Sequence, residues 1–371
     1  MKPVRVCLFI LLVTCLGFSQ RKITIPAGTP EDRALTEISQ EGDAQKRITM
    51  LEEFVQKFAG NAAAVAYGNW QLSQQFVGSD TNKALAYGDK ALAAMPDVLD
   101  ILQSQTDLAQ QAKDSAKVVD YATRGAVVIG NIEKQPKPES TDEESWKTNL
   151  ARERDQAQPI YDYLSTAAYN AMAAETDPKR RMTEIERFSE AFKGSKLSDN
   201  VNVLAVATLQ EMNDMPRLVA FGEKALASDP NNVSLVTLMA NAFVEDNKGD
   251  LAKADNYARK AIELAKSDQK MTEENKLITE GFAHEILGYS LLKQDKTAAA
   301  ITELKTASAM LKSDSVKYSL TLFRLGYAYG KANQVANAKQ VLGEAVTING
   351  PFQDAAKDLL AKLNAPRPVK K

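Results

Sequence analysis

One ten-residue phrase is written twice in this chain. Tyr87–Pro96 reads YGDKALAAMP, and Phe221–Pro230, 134 residues later, reads FGEKALASDP. Sliding the chain by 134 against itself brings a second block into register. DAQKRITMLEEFVQKFAGN (Asp43–Asn61) lies on DPKRRMTEIERFSEAFKGS (Asp177–Ser195), with seven of nineteen positions identical. Phe54, Phe58 and Gly60 fall on Phe188, Phe192 and Gly194. A third block, DYATRGA (Asp120–Ala126), matches NYARKAI (Asn256–Ile262) after a two-residue insertion. Three blocks in one order mark a duplicated unit, Asp43–Ile129 and Asp177–Leu264. Repeats of this kind stack, because each covers the apolar face that its neighbour cannot bury alone.

A shorter period runs inside each unit. Tyr87 to Tyr121 is 34 residues and Phe221 to Tyr257 is 36. Two helices of about a dozen residues plus their turns fill ~34 residues. The spacing inside the segments is helical: Ala84, Tyr87, Gly88, Ala91 and Leu92 fall at i, i+3, i+4, i+7 and i+8. Pro96 and Pro230 then stop a helix. Alanine, leucine, lysine, glutamate and glutamine, all helix formers, dominate, and no long alternating pattern reads as strand. The fold class expected is all-α, a solenoid of antiparallel helix pairs.

Residues 1–19 read as a secretory signal peptide: Lys2 and Arg5, an apolar run from Val6 to Phe18, and a small-x-small site ending at Ser19. That run is short of the ~20 residues a membrane span needs. No membrane span is therefore expected after cleavage. Both cysteines, Cys7 and Cys15, lie in this segment, so the processed chain has no disulfide and no thiolate metal site. Lipidation at Cys15 is the alternative; Thr14 is bulkier than the usual residue before a lipidated cysteine, and apolar residues follow it. The expected destination is periplasmic or extracellular. Beyond the signal the expected layout is a flexible leader (20–29), a first repeat unit (30–130), an acidic Pro-containing connector (131–145), a second unit duplicating the first (146–266), a C-terminal repeat pair with a capping helix (267–364), and a disordered basic tail (365–371). Thr141 and Ser145 are the candidate caps for the helix after the connector.

The C-terminal third carries the clearest pattern. Leu287-Gly288 and Leu291 are followed by Ala300, Leu304 and Ala307; Leu325-Gly326 and Tyr329 by Ala338, Leu342, Ala345 and Pro351. These stretches resemble tetratricopeptide repeats, whose pattern is W-x2-L-G-x2-Y, A-x3-F, A and P. Degenerate versions run through Leu72-Ser73, Phe76, Ala84, Ala91 and Pro96, and through Val236–Phe243, Ala254 and Ala261. The resemblance spans about Pro30 to Leu363 and implies a right-handed superhelix. It also implies a groove lined by the first helix of each repeat, which holds a peptide or partner segment. In the two clearest repeats that side includes Phe282, Glu285, Tyr289, Leu292, Leu320, Phe323 and Tyr327. Either a neighbouring helix covers this aromatic set, or it is a partner-binding patch.

No catalytic, metal or cofactor site is expected. The lone histidine, His284, reads as helix packing, as does Trp70, while Trp146 is placed to anchor the helix after the connector. Carboxylate pairs such as Glu52-Glu53 and Glu273-Glu274 lie among lysines and arginines on mixed, solvated faces. Lys179-Arg180-Arg181 reads as the start of a helix. A net charge of −2 with no basic stripe argues against nucleic acid. The expected function is a non-catalytic exported scaffold with a protein or peptide partner. A structural spacer or homo-oligomer is the alternative, and an enzyme or carbohydrate-handling protein a more distant one.

Overall fold

The computed structural model describes residues 22–365. The expected signal peptide, with Cys7 and Cys15, and all but Ala365 of the expected tail lie outside the described residues. Among them run seventeen α-helices and no strand. The first six are α1 (Pro30–Gln40), α2 (Ala44–Lys57), α3 (Ala62–Phe76), α4 (Thr81–Ala94), α5 (Leu99–Gln111) and α6 (Ser115–Gly130). A 3-10 turn, Ile132–Lys134, precedes α7 (Glu143–Ala174) and α8 (Pro178–Ala191). Then come α9 (Ser198–Glu211), α10 (Met215–Ser228), α11 (Val233–Glu245), α12 (Leu251–Ser267) and α13 (Glu273–Lys293). The chain closes with α14 (Thr297–Met310), α15 (Ser315–Lys331), α16 (Val335–Thr347) and α17 (Gln353–Asn364).

Short polar residues set the helix starts. Asp43, Asp80, Asp114, Asp214, Asp250 and Asp314 each accept a hydrogen bond from the amide three residues on. Each such cap is worth ~1 kcal/mol. The starts also repeat at the shift seen in the sequence. Ala44, Thr81 and Leu99 open helices 134 residues before Pro178, Met215 and Val233 do. Ser115 and Leu251 differ by 136, which is the two-residue insertion.

Small residues let the helices close on one another. A Cβ on Gly288 would come 2.7 Å from Leu304, and one on Gly326 would come 2.5 Å from Leu342. Each glycine thus admits a leucine from the second helix of its own pair.

The chain divides into two compact units: Met1–Thr176 with Thr183–Leu197, and Asp177–Met182 with Ser198–Lys371. The division crosses α8. In the first unit, Leu51, Phe54 and Leu72 form one cluster, and Leu92, Ile101, Leu102 and Tyr121 form another. Residues 22–29, expected as a flexible leader, are seated: Ile23 packs on the second cluster and Ile25 on the first. The acidic connector lies inside the first compact unit. Its following helix, α7, runs 32 residues, and its cap is Asp142, which accepts from the Ser145 amide at 2.8 Å, rather than Thr141 or Ser145. In the second unit α17 closes the array, packing Ala356, Leu359, Leu360 and Leu363 against Leu322, Leu342 and Ala345.

Candidate functional site

Within the second unit α13 and α15 are first helices of neighbouring pairs. Their register presents Tyr289, Leu292 and Lys293 from α13, and Leu320, Phe323, Arg324, Tyr327 and Lys331 from α15, to one cleft of about 430 Å³. Phe352, just before α17, adds a wall. Five of the seven groove residues named from the sequence therefore meet here: Tyr289, Leu292, Leu320, Phe323 and Tyr327. Tyr327 is 51% exposed, although large apolar side chains with that much free surface are uncommon in this chain. Phe282 stands apart, with the Lys317 ammonium 5.6 Å from its ring centroid.

Glu285 does not face an occupant. It is fully buried. Arg324 Nη1 donates to its Oε1 at 2.6 Å, and Nη2 donates to Glu245 Oε1 at 2.5 Å. The guanidinium carbon lies 3.6 Å from the centroid of the Tyr289 ring, a cation–π contact that fixes the ring as the floor of the cleft. Burial pushes the Glu285 carboxyl up from its ordinary value, against the pull of Arg324. For Arg324, burial works against the charge, and Glu285 and Glu245 overcome it, so its pKa is raised. Lys293 donates to the Val244 carbonyl, and Lys331 to Asp295 at 2.5 Å. The cations of the cleft are thus spoken for inside the chain, which leaves aromatic and apolar surface for an occupant. Sequence reasoning missed Arg324, Lys293, Lys331 and Phe352. The signal was an arginine at an inward position of LFRLGY, between Leu322 and Leu325.

The repeat-pattern positions Leu287, Gly288, Ala300, Ala307, Leu325, Gly326, Tyr329, Ala338 and Ala345 are all buried. His284 links helices: its Nδ1 lies 2.6 Å from Glu303 Oε2, and its Nε2 3.6 Å from Glu280, which also pairs with Lys266 at 3.2 Å. Trp146 is buried, and Trp70 packs beside the Leu92–Tyr121 cluster.

The tetratricopeptide-repeat family model matches residues 242–268 and 321–351. The chain carries tetratricopeptide repeats. The second match is α15 and α16, the repeat that forms one side of the cleft. The first reaches from the end of α11 through α12, a repeat whose pattern looked degenerate in the sequence. No curated protein matches the chain. Among solved structures, the APC/C hetero-tetramer Cut9–Hcn1 is similar at 15% identity and TM-score 0.46, covering 89% of this chain and 62% of that one. Yeast Tom70 is similar at 12% identity and TM-score 0.38, covering 94% and 67%. The chain thus spans about three-fifths of the length of Cut9–Hcn1's matched chain. Among the described residues, no helix of this tetratricopeptide-repeat chain is long and apolar enough to cross a membrane.

Proposed function

We propose that this protein is a non-catalytic scaffold that holds a segment of a protein partner in the α13–α15 cleft. The observation that supports this most directly is the set of aromatic rings there, Tyr289, Phe323 and Tyr327, gathered around one open cavity with Tyr327 half-exposed. Rings on rigid helices supply large contact area at low entropic cost, and such residues dominate binding energy. The expected occupant is an apolar or aromatic peptide segment. Its binding is measured by affinity capture after in-cell crosslinking, comparing the native chain with Phe323→Ala/Tyr327→Ala. The pair is expected to weaken capture by about thirtyfold or more, at about 2 kcal/mol for one hot-spot ring, with helicity retained. Melting of the helices in that variant, or unchanged capture, removes the cleft from the function.

We further propose export, with residues 1–19 as the cleaved signal. Mass spectrometry of the protein from its producing cell is expected to find Gln20 first. An intact Met1 or Lys2 overturns export by this route, and a lipid on Cys15 replaces cleavage with anchoring.

A further inference from the structure

A larger recess lies in the first unit, on second helices rather than first ones. Its main cavity, about 1060 Å³, is bordered by α6, the α4–α5 turn and the back of α8. A second cavity of about 450 Å³ continues past the 3-10 turn to α7. The two meet along Val127, Asn131, Ile132, Glu190 and Ala191.

Two observations say what this groove is for. The first comes from the duplication. Val127 is 50% exposed and lines both cavities. Its counterpart at the shift of 136 is Glu263, an exposed residue on α12. An exposed position on a second helix ordinarily takes a charge, and the copy in the second unit has one. In the first unit the same position is aliphatic, beside Val128 and the buried Ile132. Val127 is thus a half-exposed aliphatic side chain at the border shared by both cavities, where the other copy carries a carboxylate.

The second observation is charge. The joint lining holds five basic side chains (Arg124, Lys134, Arg154, Arg187, Lys193) and three carboxylates, and Asp120 behind two of the arginines brings the local surplus to one positive charge, in a chain whose net charge is −2. Arg154 is paired with Glu133 at 2.6 Å. Arg124 and Arg187 approach the same carboxylate, Asp120, at 3.5 and 3.9 Å. Two guanidiniums therefore share one acid, which leaves the pair with one uncompensated positive charge, and Arg124 Nη2 also donates to the Pro96 carbonyl at 3.2 Å.

We propose that this groove is a second docking site, and that its occupant is an extended segment of a protein partner carrying carboxylates beside aliphatic side chains. The aliphatic groups lie on Val127 and Val128, and a carboxylate lies between Arg124 and Arg187. The chain's own last residues, with Arg367, Lys370 and Lys371, have the wrong charge for it. The site is separate from the α13–α15 cleft and does not depend on it.

The probe is a panel of fluorescein-labelled short peptides of Asp or Glu alternating with Leu or Val in varied order, beside the same panel with Lys for each acid. Anisotropy with the full chain is expected to show saturable binding of acidic members only, weakened as salt rises from about 50 to about 200 mM. Val127→Glu, which installs the residue of the other copy at an exposed position, is expected to raise Kd by at least about tenfold. Val127→Ala, which keeps a smaller apolar surface, is expected to bind more weakly than the native chain but better than Val127→Glu, and Tyr327→Ala to bind as the native chain does. Four binding results overturn the proposal: no saturable binding by any acidic peptide at millimolar concentration, equal binding of the lysine panel, unchanged affinity in Val127→Glu, or loss in Tyr327→Ala alone. The last of these assigns the peptide to the aromatic cleft, while failure here leaves that cleft's own test standing. Sedimentation velocity guards the remaining case: if Val127→Glu dissociates a self-associated native chain, the groove's occupant is a second copy and the acidic-segment proposal falls.

Discussion

Arg324 serves three neighbours at once, two carboxylates and the Tyr289 ring. Removing a guanidinium from water costs several kcal/mol, and one buried ion pair repays that only with good geometry. Here two acids and a ring share the work, and Glu285 has no water to turn to. Arg324→Leu strands that buried carboxylate, so it is expected to lower unfolding free energy by about 3–5 kcal/mol in urea titration. Glu285→Leu made together with Arg324→Leu removes the stranded charge, because Glu245 is 41% exposed at its side chain and regains solvent. The double variant is expected to sit within about 1 kcal/mol of the native chain. A double variant as unstable as the single one would mean that packing, not charge, sets the cost. Burial also gives Glu285 a pH signature. Its folded pKa lies above the ordinary 4.5. The folded state therefore holds this proton more tightly than the unfolded chain does. The group's contribution is complete below the unfolded value and is lost as pH rises through the folded one. Native stability measured against Glu285→Gln is accordingly expected to fall between acid and neutral pH. A flat difference would show that Arg324 fully offsets the burial.

Four of the helix pairs, α5–α6, α9–α10, α13–α14 and α15–α16, turn on one device. Lys113, Asn213, Asp295 and Asn333 all have positive φ, between +54° and +63°. In each case the next amide donates to the carbonyl five residues back: Asp114 to Ala109, Asp214 to Leu209, Lys296 to Leu291, Gln334 to Tyr329, all near 3 Å. A left-handed residue followed by a cap ends one helix and starts the next. Asparagine and aspartate accept that geometry through their short polar side chains, but lysine has no such means. Lys113→Gly is expected to raise stability by about 1 kcal/mol, read as a higher Tm, with a smaller gain for Asn213→Gly. A lower Tm for Lys113→Gly would mean that glycine's freedom in the unfolded chain outweighs the relieved strain. Much at this scale was legible. The 134-residue shift aligned α2 with α8 and α4 with α10, because each matched block is a local string of residues. The stop at Pro96 was legible for the same local reason. What escaped was set by tertiary neighbours. Arg324 looks like surface charge until α11, α13 and α15 come together, and its partner Glu245 is 79 residues away. Glu285 falls on the groove side by helical spacing, yet that same contact takes it inward. The leader lacked any periodic pattern, so nothing local announced that Ile23 and Ile25 would pack.

At the scale of the molecule, duplication explains both what is shared and what differs. Lys117 and Tyr121 gather on Asp89, and at the equivalent positions Lys253 pairs with Glu223 at 2.7 Å beside Tyr257. A Lys–acid–Tyr set thus joins successive second helices in both copies. Val127 and Glu263 mark where the copies part, and a divergence on an exposed position is where new binding can arise without disturbing the stack. Stability in such an array is a sum over nearest neighbours rather than a property of one core. The second unit allows this to be tested. Leu342 is fully buried, fills the space left by Gly326, and packs with Leu322, Ala345 and Ala356. Leu342→Ala is expected to cost about 2–5 kcal/mol, but only among its neighbours. Hydrogen exchange should quicken through α15, α16 and α17, where the lost contacts lie. Amides of α9 and α10, which share no side chain with that cluster, should keep their native protection. Helices α9 and α10 touch the others mainly through α11, and the one described contact that skips a pair, Arg324 of α15 to Glu245 of α11, ends on α11, so the perturbation has to pass through α11 to reach them. Faster exchange spread evenly over all nine helices would instead show that the unit opens as one cooperative block. Its stability would then depend on contacts longer in range than those between adjoining repeats.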